Sequence, residues 1–230
     1  ERAGVIRTND GSVGALSMIG TVSPAGGNFE EPVTQSTLGA VKCFLGLSAD
    51  RAYKRFYPAV DPLLSWSRYR EQLAPWYREE MGADWARRVE EMLALLHRGA
   101  EIQQMIQVTG EEGVTREDFV VQQAALFLDM VYLQQDAFDP IDQSVAPPRQ
   151  RAQFDRVYSA VTRGYAFAGQ AAAREHFTRL TELFRNLNYA AEGSQEEERL
   201  LAEIAELDRS VPVAAPGGEP QAEPPVARSA

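Results

Sequence analysis

The sequence predicts a mainly α-helical protein in which the last strands of an α/β domain precede an all-α helical bundle. Three features of the chain lead to this prediction. Residues 5–22 form two β-type runs around an Asn-Asp-Gly-Ser turn cluster. Prolines at positions 58 and 62 then interrupt the chain. From about residue 71 onwards, apolar residues recur with the period of an α-helix.

The first two predicted elements are strands. Val5-Ile6-Arg7-Thr8 is rich in β-branched residues, and the run from Val13 to Val22 is largely apolar and ends before Pro24. In the second run, apolar and polar residues do not alternate cleanly, which favours a sheet covered on both faces. Two strands alone are marginally stable in water, so we expect the rest of this sheet to be absent.

A loop and two helices are predicted next. Residues 23–33 contain two prolines and two glycines, which argues against regular structure. We expect a helix to follow through Cys43, with this cysteine buried in the core. Ser48 is placed to cap a second, short helix, which the prolines at 58 and 62 end.

The helical bundle has the clearest pattern. Trp85, Val89, Met92 and Leu96 recur at helical spacing and form one apolar face. Ser194-Gln195-Glu196-Glu197 has the sequence of a capping box and begins a last, acidic helix. Periodicity and turn residues together predict helical segments at about 71–108, 115–133, 150–167, 171–189 and 194–207, and Thr115 is placed to cap the second of them.

The domain boundaries follow from these elements. We expect residues 1–70 to be the remnant of the α/β domain with its hinge, and residues 71–209 to be the bundle. Residues 210–230 contain five prolines and no aromatic residue, which predicts a disordered tail. The chain begins with Glu-Arg-Ala-Gly instead of Met, so we expect a piece of a longer polypeptide.

The composition argues against several classes of function. A net charge of −10 with only two lysines, Lys42 and Lys54, argues against binding to nucleic acid or directly to anionic lipid. The single cysteine, Cys43, excludes an internal disulfide. No apolar run approaches the roughly 20 residues that span a bilayer. No signal peptide is visible either, so we expect a cytoplasmic protein.

No catalytic motif is complete in this sequence. Neither lysine lies in the Gly-x-x-x-x-Gly-Lys-Ser/Thr pattern of a phosphate-binding loop. His97 and His176 lie inside helical patterns without a nucleophile motif nearby, which predicts surface or packed histidines. Asp139 and Asp142 are a candidate metal pair, for which a solvated loop is the favoured alternative. We therefore predict no catalytic residue and no metal site in this chain.

Three segments resemble the nucleotide-binding subunits of rotary ATPases. Residues 57–68, Tyr-Pro-Ala-Val-Asp-Pro-Leu-Leu-Ser-Trp-Ser-Arg, resemble the Pro-Ala-Val-Asp-Pro-Leu-x-Ser-x-Ser-Arg signature of these subunits. Residues 19–35 look like the Ser-Pro-Pro-Gly-Gly-Asp-x-Ser-Glu-Pro-Val-Thr loop of the V/A-type catalytic (alpha) chain. Residues 132–139 are similar to its Phe-Leu-Gln-Gln-Asn-Ala-Phe segment. Tyr57 and the Val-Asp-Pro at 60–62 are closer to the F-type β chain.

The resemblance covers about residues 1–165 and implies a C-terminal fragment of the catalytic subunit of a V/A-type ATP synthase (V-type ATPase). Its implied fold is a remnant of a P-loop α/β nucleotide-binding domain followed by the helical C-terminal domain. The family's P-loop, catalytic Glu and Mg-binding Asp come earlier in the chain. We therefore expect the fragment alone to hydrolyse no ATP and to bind nucleotide weakly at most. ATP or ADP with Mg²⁺ is expected in the full-length complex.

The resemblance also implies that this fragment holds the adenine end of the nucleotide site. Tyr57 matches the aromatic residue that stacks on adenine, and Ala137 and Phe138 match the opposite side of the base pocket. A flat apolar base requires rigid aromatic faces, and Pro58 restricts the backbone of Tyr57. From composition alone, packing between helices is the alternative role for both rings.

By the same resemblance, Asn28, Glu30 and Glu31 lie on a loop that faces the central rotor, and a solvated acidic loop is the alternative. The bundle corresponds to the part that swings and pushes the rotor. The implied partners are the B subunits, in an alternating hexamer of three A and three B subunits, and the central rotor stalk. Contact with the membrane is implied only through the H⁺- or Na⁺-translocating sector, with the complex on the cytoplasmic side.

Two other functions are open at the level of sequence. One is a non-enzymatic helical interaction module of ATPase ancestry. The other is a relative of the flagellar or secretion-type ATPases, against which the Ser-Pro-Ala-Gly-Gly at 23–27 argues.

Overall fold

The computed structural model describes residues 4–213 of the chain. The described residues are mostly helical, as the sequence predicts, and the chain forms two units, Glu1–Phe44 and Leu45–Ala230. This division falls before the predicted domain boundary. The short helix that follows Leu45 forms an ion pair with the helical bundle.

The first unit begins with a β-hairpin. Strands β1 (Gly4–Arg7) and β2 (Val13–Leu16) pair antiparallel, with Gly4 opposite Leu16. Gly11 adopts a φ of +85° in the connecting turn, a conformation that glycine accepts without strain. The predicted extension of the second strand over residues 17–22 does not form, because no further strand among the described residues pairs with it.

Helix α1 (Pro32–Ala40) follows a loop that includes a 3₁₀ turn at Ala25–Gly27. Proline suits the first turn of a helix because its missing N–H would be unpaired there. The prediction that this helix continues through a buried Cys43 is wrong. The β-branched Val41 is extended and ends the helix, so Cys43 lies exposed in the short strand β3 (Cys43–Phe44).

The second unit consists mainly of helices. Three of them begin at predicted caps, where Ser48, Thr115 and Ser194 accept the backbone N–H three residues on, at 3.3, 3.1 and 3.1 Å. In the described part of this unit, the elements are α2 (Ala49–Tyr53), β4 (Trp66–Ser67), α3 (Arg70–Glu80), α4 (Trp85–Thr109), α5 (Arg116–Val131), α6 (Pro147–Thr162), α7 (Gln170–Tyr189) and α8 (Gln195–Ser210).

The predicted helix at 71–108 is interrupted. The chain leaves the helical conformation between α3 and α4, where Gly82 has a φ of +109°. This conformation is readily available to glycine and costly for other residues. The predicted apolar face survives on α4, where Trp85, Met92 and Leu96 are buried.

The hydrophobic core lies between α4, α5 and α7, with α6 against α5 and α8 against α7. Phe127 is 1% exposed and meets Phe184 edge to face, with 5.1 Å between the ring centroids. The helices α4 and α5 approach so closely at Gly99 that a Cβ atom there would lie 2.3 Å from the Cβ of Ala125. A glycine is therefore required at this contact.

The end of the described chain packs onto the bundle. Helix α8 continues to Ser210, and the backbone N–H of Ala166 donates to the carbonyl of Pro212 at 2.8 Å. Val213 also forms a β-bridge with Tyr165. The first residues of the predicted tail are thus structured by these contacts, while the rest of it, 214–230, lies outside the described residues. Within residues 4–213, no helix combines the length and apolarity needed to cross a bilayer.

Candidate functional site

A cavity of about 510 Å³ lies within the second unit, and the three residues predicted to hold adenine line it. These are Tyr57, Ala137 and Phe138, which come from two segments far apart in the sequence. The Tyr57 side chain is 53% exposed and that of Phe138 is 97% exposed, so neither ring packs in the helical core. Both aromatic faces are therefore accessible to a ligand.

The backbone joins the two segments beside the cavity. The N–H of Gln135 donates to the carbonyl of Tyr57 at 2.5 Å, and the side-chain amide of Gln134 donates to the carbonyl of Arg55 at 3.4 Å. The Tyr57–Pro58 peptide bond is cis, and Arg55 has a φ of +63°. These contacts place the segment around Tyr57 directly beside the one that leads to Ala137.

An ion pair anchors the first of these segments to the bundle. The two guanidinium Nη atoms of Arg51 donate to the two carboxylate oxygens of Asp129 at 2.8 and 2.9 Å. Their side chains are only 12% and 21% exposed. The Arg51 guanidinium also lies 4.5 Å from the centroid of the Phe56 ring. Because Tyr57 follows Phe56 directly, this bidentate pair holds the segment that carries Tyr57 against the bundle.

The second segment is held by its own carboxylates. The buried Asp142 accepts the backbone N–H of Asp136 at 2.6 Å, and Asp136 accepts that of Phe138 at 2.9 Å. Burial raises the pKa of the Asp142 carboxyl above its usual value. The expectation that Asp142 lies in a solvated loop is wrong, since its carboxylate is used to cap the backbone. The described residues contain no group of three or more His, Cys, Asp or Glu side chains arranged to hold a metal.

The far wall of the cavity comes from the end of α7, and the sequence alone did not indicate it. Arg185, Asn188 and Tyr189 line the cavity there. Asn188 donates to the carbonyl of Val131 at 2.8 Å and accepts from the side chain of Gln153 at 3.0 Å, so both ends of its amide are hydrogen-bonded. These residues belong to an ordinary amphipathic helix pattern, which contains no signal that a ligand lies beside it.

The loop residues predicted to face a rotor lie in the first unit. Asn28 and Glu30 are exposed, and the Asn28 side chain accepts the Glu30 N–H at 3.0 Å. Glu31 lies just before helix α1 and accepts a hydrogen bond from Thr34 at 3.5 Å. Two carboxylates are thus presented on a short ordered turn.

The two histidines occupy different environments, as predicted for surface or packed residues. His97 is exposed on α4, whereas His176 on α7 is 4% exposed. The His176 ring lies 4.6 Å from the Tyr165 ring and 5.3 Å from the Phe167 ring, centroid to centroid. Burial lowers the pKa of His176, and the nearby Asp208 partly opposes this shift. His176 is therefore held neutral in the core.

Acidification is expected to destabilise the fold through His176. The unfolded chain takes up a proton on this residue near its ordinary pKa of 6.5, whereas the folded chain does so only at lower pH. The free energy of unfolding should therefore fall below pH 6.5, by up to about 1.4 kcal/mol per pH unit. Urea unfolding at about pH 7.5 and about pH 5.5 measures this effect, with His176→Phe as reference.

The matched control is His97→Gln, which should leave the pH dependence of the wild type intact because His97 is exposed. This role of His176 would be contradicted if acidification left the free energy of unfolding of the wild type unchanged relative to that of His176→Phe. It would also be contradicted if acidification raised the free energy of the wild type relative to that of the variant.

Two family models match the chain. The model of the ATP synthase alpha/beta family, nucleotide-binding domain, matches residues 1–67. The model of the C-terminal domain of V and A type ATP synthase matches residues 74–161. The V-type ATP synthase alpha chain of Treponema denticola is 43% identical over 84% of this chain and 31% of its own length. The chain belongs to the V-type ATP synthase alpha-chain family, whose C-terminal portion it matches.

Other V-type ATP synthase alpha chains show the same relation. That of Chlamydia pneumoniae is 44% identical over 82% of this chain, and that of Borrelia hermsii is 40% identical over 91%. The chain spans about a third of the length of these curated relatives, 32% and 34% respectively. The resemblance inferred from the sequence motifs is thus confirmed, and so is a nucleotide-binding domain remnant followed by a helical domain.

A solved structure supports the fold alone. The ATP synthase subunit NeqB from Nanoarcheaum equitans matches with a TM-score of 0.50 and 19% sequence identity. The match covers 60% of this chain and 32% of that one.

Proposed function

We propose that this chain provides the adenine end of the nucleotide site and the rotor-coupling helical domain of a V-type ATP synthase catalytic subunit. One observation supports the first part above all others. Tyr57, Ala137 and Phe138 line a single cavity of about 510 Å³, and both aromatic residues are exposed to solvent rather than packed in the core. Such rings offer the stacking surfaces that a purine base requires.

The chemistry of hydrolysis or synthesis is assigned to the rest of the catalytic chain. ATP or ADP with Mg²⁺ binds in the full-length complex, where a phosphate-binding loop neutralises the phosphates. This sequence contains no such loop. The chain by itself therefore binds nucleotide weakly, through the base, and hydrolyses no ATP.

The second part of the proposal concerns mechanical coupling. The exposed turn with Asn28, Glu30 and Glu31 contacts basic residues of the central rotor stalk, for which its two carboxylates provide charge complementarity. The helical unit has a continuous core from α3 to α8 and so can transmit force as one body. The other partners are the B subunits, which alternate with the catalytic A subunits in a hexamer on the cytoplasmic side. Contact with the membrane occurs through the ion-translocating sector.

Replacing Tyr57 by Ala is expected to weaken adenosine binding at least about fivefold, because base–aromatic stacking contributes about 1–3 kcal/mol per base. The measurement is a millimolar NMR titration of the isolated chain with adenosine. In the wild type, adenosine should shift the signals of Tyr57, Ala137 and Phe138. The substitution Tyr57→Phe should preserve binding, since it keeps the aromatic face.

The matched control is Trp76→Ala, which removes an aromatic side chain that is 46% exposed and lies outside the cavity. This variant should bind adenosine like the wild type. The adenine pocket is disproved if adenosine shifts only residues outside the cavity, or if Tyr57→Ala binds it as well as the wild type.

A further inference from the structure

The imidazole of His176 is buried without a hydrogen bond. The residue is 4% exposed, and neither of its two ring nitrogens has a hydrogen-bond partner among the described residues. Native proteins leave few buried polar atoms unpaired. A positive charge on this ring would be desolvated as well as unpaired, so the closed structure accepts the neutral imidazole and opposes the imidazolium.

The segment between α6 and α7, residues 163–167, lies over this ring. Tyr165 and Phe167 contact the imidazole, with 4.6 and 5.3 Å between the ring centroids. Tyr165 is itself only half-buried. His176 therefore lies one layer of side chains below the surface, where a small local movement brings it into contact with water.

The end of α8 and the residues that follow it hold this segment in place. The N–H of Ala166 donates to the carbonyl of Pro212 at 2.8 Å, and the hydroxyl of Tyr165 donates to the carboxylate of Asp208 at 2.6 Å. We refer to the segment over the ring, together with residues 208–213, as the cover. Because few hydrogen bonds hold it, the cover can open while the core of the bundle stays folded.

The charged groups near His176 determine what its protonation does. Burial opposes the charge, Asp208 on α8 favours it, and Arg163 at the end of α6 opposes it, and together they lower the pKa of His176. The Asp208 carboxylate makes no hydrogen bond to the imidazole in the closed structure, where it accepts from Tyr165. An imidazolium therefore gains a partner, whether this carboxylate or water, only after the cover has moved.

We propose that His176 and the cover form a proton-controlled latch, in which proton uptake by the imidazole opens the cover and proton release closes it. Opening detaches residues 211–213 from the bundle, so the surface that this end of the helical unit offers to a partner changes with pH. The latch is separate from the proposed nucleotide site, because neither His176 nor any residue of the cover lines that cavity.

The direction and size of the effect follow from proton linkage. In the open form, the imidazole takes up a proton near its ordinary pKa of 6.5, whereas the closed form does so only at lower pH. Lowering the pH from about 7.5 to about 5.5 should therefore increase the ratio of open to closed cover by up to about tenfold.

Native-state hydrogen exchange of the intact chain, followed by NMR and corrected for the intrinsic exchange rate, measures the opening. The amide of Ala166 reports on it, because its hydrogen bond spans the cover. This amide should open about three- to tenfold more often at about pH 5.5 than at about pH 7.5. Urea at about 1 M should leave its opening unchanged, since a local opening exposes little surface, whereas the amide of the buried Phe184 should respond to urea.

Three variants identify the group that titrates. His176→Phe keeps a ring in this position and removes the proton site, so the cover should open equally often at both pH values. Asp208→Asn keeps an acceptor for the Tyr165 hydroxyl and removes the carboxylate, and the pH dependence should persist. The matched control is His97→Gln, which removes an exposed histidine on α4 and should behave like the wild type.

The latch is overturned if the opening at Ala166 in the wild type does not change with pH. It is also overturned if the pH dependence persists in His176→Phe or is lost in Asp208→Asn, because a group other than His176 would then control the opening. If exchange at Ala166 rises with urea as steeply as exchange at Phe184, Ala166 exchanges through global unfolding and no separate latch exists.

Discussion

Replacing Asp129 by Ala is expected to lower the free energy of unfolding by about 3 kcal/mol. The substitution leaves the Arg51 guanidinium, 12% exposed, without the two hydrogen bonds that it makes at 2.8 and 2.9 Å. Removing one partner of a largely buried ion pair is strongly unfavourable because the remaining charge is desolvated and unpaired. Urea unfolding of the isolated chain at neutral pH measures the loss.

The same substitution is expected to weaken adenosine binding. Arg51 fixes the entry of Phe56 and Tyr57 into the cavity, so its release should broaden the NMR signals of Tyr57 under conditions in which the core remains folded. The cavity would then lose the aromatic face of Tyr57 part of the time. This effect links the ion pair to function as well as to stability.

The control is the double variant Arg51→Met with Asp129→Leu, which removes both charges and keeps most of the apolar volume. Since an ion pair replaced by well-packed apolar residues is often neutral for stability, this variant should recover most of the loss. An exposed ion pair contributes less than about 1 kcal/mol. If Asp129→Ala lowers the free energy of unfolding by no more than that, the pair is only a surface contact.

The second large effect is expected at Gly99, where replacement by Ala should destabilise the fold by about 2 kcal/mol in total. The added Cβ would lie 2.3 Å from the Cβ of Ala125, closer than any stable contact, so α4 and α5 must move apart. Overpacking of this kind typically costs about 1–3 kcal/mol. It outweighs the gain of up to about 1 kcal/mol that alanine offers over glycine in a helix.

Moving the methyl group from one helix to the other provides the control. The double variant Gly99→Ala with Ala125→Gly leaves the new Cβ 3.8 Å from the Cα of residue 125, an ordinary van der Waals distance. The two changes in helix propensity cancel, so this variant should unfold close to the wild type. If it is as unstable as Gly99→Ala alone, the loss does not come from the approach of the two helices.

Short sequence patterns correctly predicted the helix caps and the buried face of α4, because these features depend on residues that are close together in the chain. The caps at Ser48, Thr115 and Ser194 are formed where the sequence placed them, because each bond joins residues three positions apart. The apolar stripe of α4 is buried as its period requires. The helix break at Gly82 and the early end of α1 at Ala40 were missed, since glycine and β-branched residues such as Val41 also occur inside helices and do not by themselves fix a boundary.

The family and the two segments that line the cavity follow from the amino-acid sequence, because the motifs around Tyr57 and Phe138 are long enough to identify both. The packed chain was needed to show that these segments are joined through Gln135, that α7 completes the wall, and that Asp142 is buried. The reason is that a cavity forms from the packing of distant segments. Whether a particular polar atom, such as Oε1 of Gln134, finds a partner depends on that packing and on no local pattern.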